Sequence, residues 1–140
     1  MPEKRILNQL NELFAEEIEA ALRYLHLAVT IQGLDRLLVR QTLLESMTET
    51  LDHAQTIAGK IVQLGGVPSL NLKVQLPAEM TSGAEAIRTA LAFEQAALDG
   101  YRELLEHVGG DVVLEEFARA QIATESEHVA GLYLLLENRE

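Results

Sequence analysis

The sequence predicts an all-α protein: a four-helix bundle of two antiparallel hairpins joined by one long crossover. Three observations carry this. Prolines occur only at positions 2, 68 and 77, which leaves long stretches free of the residue that breaks helices. Within those stretches apolar residues recur at alternating spacings of three and four, the pattern of a helix that buries one face in a bundle. Glycine and proline punctuation divides the chain into four such stretches, and the middle division is long. With 140 residues, 48% of them hydrophobic and 24% charged, the whole chain (1–140) reads as one domain, large enough to bury roughly two thirds of its unfolded surface.

Each element has its own start and stop. Pro2 sits where a first helical turn tolerates proline, and helix one is expected over about 3–32, ended by Gly33. Asp35 is placed to cap helix two, about 35–64, which stops at Gly65, Gly66 and Pro68. Residues 66–82, GVPSLNLKVQLPAEMTS, hold both remaining prolines and an extended-looking NLKVQL, and form the crossover. Ser82 followed three residues later by Glu85 is a capping-box signature for helix three, about 83–108. Gly109 and Gly110 end that helix, and Asp111 caps helix four, about 111–138. The first and third connections are a few residues long and force antiparallel neighbours, whereas the middle one can cross the length of a bundle.

Composition narrows the function. The absence of cysteine removes disulfides, thiolate nucleophiles and sulfur-ligated metal sites, so any metal must be held by oxygen and imidazole nitrogen. Twenty-two acidic against eleven basic residues give a formal charge of −11, which opposes a nucleic-acid partner and favours cations. No apolar run approaches the ~20 residues of a spanning helix, so no membrane association is expected. The start, MPEKRILNQL, has neither a secretory apolar stretch nor a lipidation motif, and a cytoplasmic location is expected.

The helix seams contain charges. Helix one presents Leu7, Leu10, Phe14, Glu17, Ala21, Tyr24, Ala28 and Ile31; helix three Ile87, Leu91, Glu94, Leu98, Tyr101, Leu105 and Val108; helix four Leu114, Ala118, Gln121, Glu125, His128, Leu132 and Leu135. A lone carboxylate in a core costs several kcal/mol or takes up a proton, so its recurrence at mid-height calls for a common partner, and a cation is the simplest. Glu125 and His128, three apart, can converge on one ion. The seam of helix two reads Val39, Leu43, Ser46, Thr50, His53, Ile57 and Leu64. Thr50 stands where Glu125 stands in helix four, and the nearest carboxylate, Glu49, lies one residue before it. An internal repeat points the same way. Tyr24 follows Glu17 by seven residues and Tyr101 follows Glu94 by seven; His53 is 36 residues after Glu17 and His128 is 34 after Glu94. The two hairpins read as copies about a pseudo-two-fold axis through the site.

At these residues the sequence resembles bacterioferritin, within the ferritin-like superfamily. The likeness runs through LNELFAEEIEAALRYL, ETLDHAQTIAGKIVQLGGVPSL, LAFEQAALDGYREL and ATESEHV, nearly the whole chain. It implies a ferritin-like bundle with a di-iron site: one glutamate on helix one, Glu-x-x-His on helix two, one glutamate on helix three and Glu-x-x-His on helix four. Matched position by position, this selects Glu17, His53, Glu94, Glu125 and His128, with Thr50 in place of a bridging glutamate and Glu49 as its candidate substitute. Leu51 stands at the place of the haem-ligating methionine, so no haem is expected. The chain ends twelve residues after His128, without the short fifth helix that lines channels in the 24-subunit shell.

The function expected from this reading is iron binding, with oxidation of ferrous iron by oxygen or peroxide at an intra-bundle di-iron site, for storage or detoxification; manganese and zinc suit the same donors. The metal set is Glu17, Glu49, His53, Glu94, Glu125 and His128, with no catalytic residue beyond it. Leu22, Leu25, Leu37 and Leu38 form an apolar surface that suggests a homo-oligomer, at least a dimer. Two alternatives stand beside this: a non-catalytic metal-binding or assembly subunit with an incomplete site, and a dimeric di-iron oxidase with a small organic substrate beside Ala20, Ala21 and Ala97. Tyr24 and Tyr101 are read as core rings whose hydroxyls bond the site or its neighbours, and His26 and His107 as surface residues.

Overall fold

A computed structural model describes residues 2–136. Helices α1 (Pro2–Thr30), α2 (Arg36–Gln63), α3 (Gly83–His107) and α4 (Val112–Leu136) follow in the expected order, and the all-α bundle of two hairpins is borne out. Residues 137–138, the expected end of helix four, lie outside the described residues. Among the described residues no helix is long and apolar enough to cross a membrane.

α1 stops two residues short of the expected Gln32 because the crossover captures its last polar groups. The Thr81 N–H donates to Thr30 O at 3.0 Å and the Gln32 N–H to Thr81 O at 2.8 Å, which forms an isolated parallel bridge at Ile31. Gly33 then turns the chain at φ +120°. Asp35 does stand at the N-cap of α2, but its side chain makes no cap hydrogen bond. The carboxylate faces the start of α3 instead, where a Cβ on Gly83 would come within 2.6 Å of Asp35 Oδ2. A negative charge is favourable there, against the positive end of a helix dipole.

The remaining termini follow their sequence signals. Gly65, at φ +88°, donates its N–H to Val62 O at 3.0 Å while the Gly66 N–H reaches Ile61 O at 2.9 Å. This is the double bond of a Schellman C-cap, with glycine supplying the left-handed residue. Ser82 Oγ accepts from the Glu85 N–H at 3.1 Å, and Asp111 Oδ1 from the Leu114 N–H at 3.1 Å. The Glu85 carboxylate pairs with Arg88. Ser82→Ala should therefore cost about 1 kcal/mol, read as a lowered midpoint in thermal melting; an unchanged midpoint would mean that α3 does not depend on this cap.

The crossover lies along α1. The Ser69 N–H donates to Asn11 Oδ1 at 2.8 Å, the Lys73 N–H to Glu19 Oε2 at 2.5 Å, and Thr81 reaches the end of the helix. The chain thus travels from the start of α1 to its end, so α3 begins where α1 stops and runs antiparallel to it. α1 packs chiefly on α2 and α3 chiefly on α4.

Two apolar clusters fill the interior. One joins Leu10, Leu13, Ile57, Ile61, Tyr101, Leu104, Leu114 and Ala118 near one end; the other joins Tyr24, Leu27, Ile31, Leu43, Ile87, Leu91, Leu132 and Leu136 near the opposite end. The seams hold with local shifts of one residue. On α4 Leu135 is exposed and Leu136 is buried, and Leu7 and Leu105 are only partly buried whereas Ile6 and Leu104 are fully so. Four residues from Leu132 complete a helical turn at Leu136, so the expected Leu135 falls just off the inward face.

Candidate metal centre

Between the apolar clusters lies a polar layer. Each helix buries a polar seam residue at this level: Glu17 from α1, Thr50 from α2, Glu94 from α3, Gln121 and Glu125 from α4. The three carboxylates are 1–2% exposed, so they are shielded from bulk water and must find partners inside the bundle.

They find two histidines. His53 Nδ1 is 3.1 Å from Glu17 Oε2 and 3.1 Å from Glu125 Oε1. His128 Nδ1 is 3.1 Å from Glu94 Oε2 and 3.9 Å from Glu125 Oε2. The two imidazoles lie parallel, with centroids 5.5 Å apart and planes 11° apart. The result is two donor groups, Glu17–His53–Glu125 and Glu94–Glu125–His128, in each of which the ligand atoms lie within 4.8 Å of one another. Glu125 belongs to both and turns one oxygen toward each ring. The pseudo-two-fold read from the repeat is present in the arrangement of donors.

Glu49, also in the expected metal set, stands elsewhere. Its Oε2 is 2.7 Å from His128 Nε2, the ring nitrogen remote from Glu94, and its side chain is 55% exposed. It belongs to neither donor group. Periodicity could not reveal this contact, because it joins a flank residue of α2 to the outer edge of a ring on α4. Thr50 is 2% exposed and keeps its inward place on the seam.

The donors fit a pair of divalent ions. Ligand atoms about 2.0–2.2 Å from one ion sit roughly 3 Å from each other, which is the spacing of the imidazole and carboxylate atoms here. Glu125 Oε2 is buried with no hydrogen-bond partner, a costly state for a carboxylate that a cation between the rings would relieve. Imidazole with carboxylate suits iron, manganese or zinc.

Charge in the layer is arranged around the imidazoles. Burial disfavours the His53 cation, but hydrogen bonds to Glu125 and Glu17 outweigh it and push His53 up to about 10. The hydrogen bond to Glu94 raises His128. Burial raises Glu17 and Glu125. It opposes ionisation of Glu94 as well, yet the hydrogen bond to His128 and the charge of that imidazole carry the group below the usual range. For His53 the folded value lies above the unfolded ~6.5, so its contribution to stability is complete below about 6.5 and is lost as pH rises through about 10. The metal-free protein should therefore melt at lower temperature at pH 10 than at pH 6; a flat profile would contradict a protonated His53.

The flanking aromatics are only partly as expected. Burial and the neighbouring Glu94 carboxylate raise the Tyr24 phenol, and its ring meets Phe93 edge-on at 4.8 Å. The Tyr101 hydroxyl, expected to bond the site or its neighbours, is buried with no hydrogen-bond partner. His107, expected at the surface, is partly buried with Nδ1 3.0 Å from Gln9 Oε1, and His26 is partly buried as well.

A family model described as Ferritin, ferritin-like domain, matches residues 7–140. The chain is similar to a ferritin-like diiron-carboxylate protein from Bacillus anthracis str. Ames, at 27% identity over 97% of this chain and 98% of that one, with a TM-score of 0.86. It is also similar to the bacterioferritin-related protein of Bacteroides fragilis, described as a dodecameric thioferritin, at 27% identity over 97% and 86% of the two chains, with a TM-score of 0.87. Bacterioferritin from Desulfovibrio desulfuricans shares the fold, at 18% identity over 98% and 82% and a TM-score of 0.86. A comparison with curated proteins gives no match.

Proposed function

This chain belongs to the ferritin family of ferritin-like domains, and from that premise we propose that it takes ferrous iron as substrate and oxidises it, two ions at a time, in the polar layer of the bundle. The observation that carries this reading is Glu125, 1% exposed, whose two oxygens face two imidazoles in the polar layer. In this proposal His53 and His128 each hold one ion through Nδ1, Glu17 and Glu94 close the two groups, and Glu125 is shared. Two ferrous ions surrender two electrons, and dioxygen takes them up with two protons to leave as hydrogen peroxide; peroxide itself can serve as the acceptor and leave as water. The chain's residues bind, neutralise and align the pair, and the apolar layers above and below keep bulk water out. Relatives described as diiron-carboxylate proteins and as bacterioferritin support the choice of iron.

The test is direct. Ferrous salt added to the metal-free protein in air should produce ferric absorbance far faster than in buffer, after two ions per chain have bound. No acceleration under saturating iron would refute an oxidase.

A second reading rests on Thr50. With no carboxylate at that place the site could hold one ion firmly and the other weakly, as a non-catalytic metal-binding subunit would. Stoichiometry separates them: two ions per chain supports the oxidase, and one or none the subunit.

Glu49 acts in this proposal through His128, holding the Nε2 proton so that Nδ1 stays free to bind metal. Loss of such a support typically costs 10–100-fold in affinity. Glu49→Gln should weaken binding on that order while leaving the number of sites at two; loss of one site would make Glu49 a ligand itself. Assembly into a homo-oligomer accords with the exposed Leu25, Leu37 and Leu38 and with the dodecamer named for the Bacteroides fragilis relative.

A further inference from the structure

We propose that the donor place occupied by Thr50 is an anion site, filled from solution by a small monoanionic oxyanion of the formate, acetate or hydrogen carbonate class when two divalent ions are bound. The inference rests on the two-metal reading above and extends it to a ligand.

The argument starts from the internal symmetry of the chain. On α4 the pair Glu125 and His128 supplies a carboxylate and an imidazole three residues apart; on α2 the equivalent pair is Thr50 and His53. Thr50 is 2% exposed, so its place lies inside the bundle, but it offers only a neutral hydroxyl, a weak donor to a cation. The adjacent carboxylate cannot serve as it stands, because Glu49 Oε2 is engaged 2.7 Å from His128 Nε2, on the outer edge of that ring.

Charge then decides what is missing. Among the described residues the buried ionisable groups that are carboxylates are Glu17, Glu94 and Glu125, three negative charges against the four positive charges of two divalent ions. Ligating imidazoles must be neutral and contribute none. One positive charge would be left among the donors themselves, between the two apolar clusters; the next carboxylate, Glu49, offsets it only from the outer edge of His128, where it is 55% exposed and screened by solvent. One monoanion removes it.

Access sets the size. The site reaches solvent through its imidazoles, 14% exposed for His53 and 23% for His128, while the carboxylates stay at 1–2%. An anion arriving past partly covered rings must be small. A carboxylate of one or two carbons presents the same donor atoms that Glu125 presents on the opposite side of the pseudo-axis.

Cobalt(II) in place of iron gives a readout without redox chemistry. Sodium formate titrated into the protein loaded with two cobalt ions per chain should change the visible cobalt absorption and saturate at one formate per pair. Thr50→Glu should abolish the change, because the built-in carboxylate takes the place; Thr50→Asp, a smaller intrusion, should weaken formate binding at least about tenfold and decides the matter if the glutamate variant does not fold. Thr50→Val, which keeps the size and lacks the hydroxyl, should retain the change. Two bound cobalt ions with no response to formate would overturn the anion site and leave the two-metal reading intact, whereas fewer than two cobalt ions would overturn both. A response undiminished in both carboxylate variants would place formate elsewhere and overturn the proposal. So would a response present in Glu49→Gln and absent in the unaltered protein, since Glu49 would then be the missing donor.

Discussion

Glu125→Ala is expected to reduce bound metal from two ions per chain to one at most, and to slow iron oxidation by at least about 100-fold. The reason is that Glu125 is the one side chain shared by both donor groups. Removing Glu17 or Glu94 opens one group; removing Glu125 opens both. Even residues that only orient a metal ligand contribute 10–100-fold in affinity or activity, and a shared ligand should contribute no less. Glu125→Gln preserves the volume and separates the loss of charge from the loss of packing. Elemental analysis after loading and gel filtration measures the outcome, with far-UV circular dichroism to check the helices. Two ions retained in the alanine variant would mean that the carboxylate is structural.

The second large effect is expected from Thr50→Glu, which adds a fourth carboxylate on the seam of α2. Without metal, a further negative group in a layer that already buries Glu17, Glu94 and Glu125 brings desolvation and like-charge repulsion, so the melting temperature of the metal-free protein should fall. With metal the sign reverses. Affinity for the weaker ion should rise on the order of 10–100-fold, and the rise in melting temperature on loading should exceed that of the unaltered protein. Scanning calorimetry with and without manganese reads both quantities. Equal affinity and an equal rise would mean that the site already has a fourth carboxylate donor, with Glu49 the nearest candidate.

Both variants were open to design from the sequence because the features they alter lie on helix seams. Glu17, Glu94, Glu125 and His128 interrupt otherwise apolar spacings, and periodicity places such residues at mid-height of a bundle. Glycine and aspartate punctuation likewise located the turns after Gln63 and His107. What escaped depends on side-chain direction across elements. Asp35 reads as a cap for its own helix, yet a nearby Gly83 without a Cβ lets its carboxylate face α3. Glu49 reads as a displaced ligand, yet its length takes it to the outer nitrogen of His128. Tyr101 repeats the spacing of Tyr24 from its glutamate and is buried as Tyr24 is, yet its hydroxyl meets no hydrogen-bond partner, which spacing does not reveal. Spacing along a helix fixes which face a residue shares; it does not say which of several groups on a neighbouring helix its side-chain tip will meet.

The central claim is that Glu125 joins two metal positions, each anchored by one imidazole. Anomalous diffraction from crystals loaded with ferrous iron under anaerobic conditions tests it most directly. The account predicts two peaks in the polar layer, one beside His53 Nδ1 and one beside His128 Nδ1, with Glu125 contacting both. A single peak, or peaks confined to the exposed side of Glu49, would contradict it.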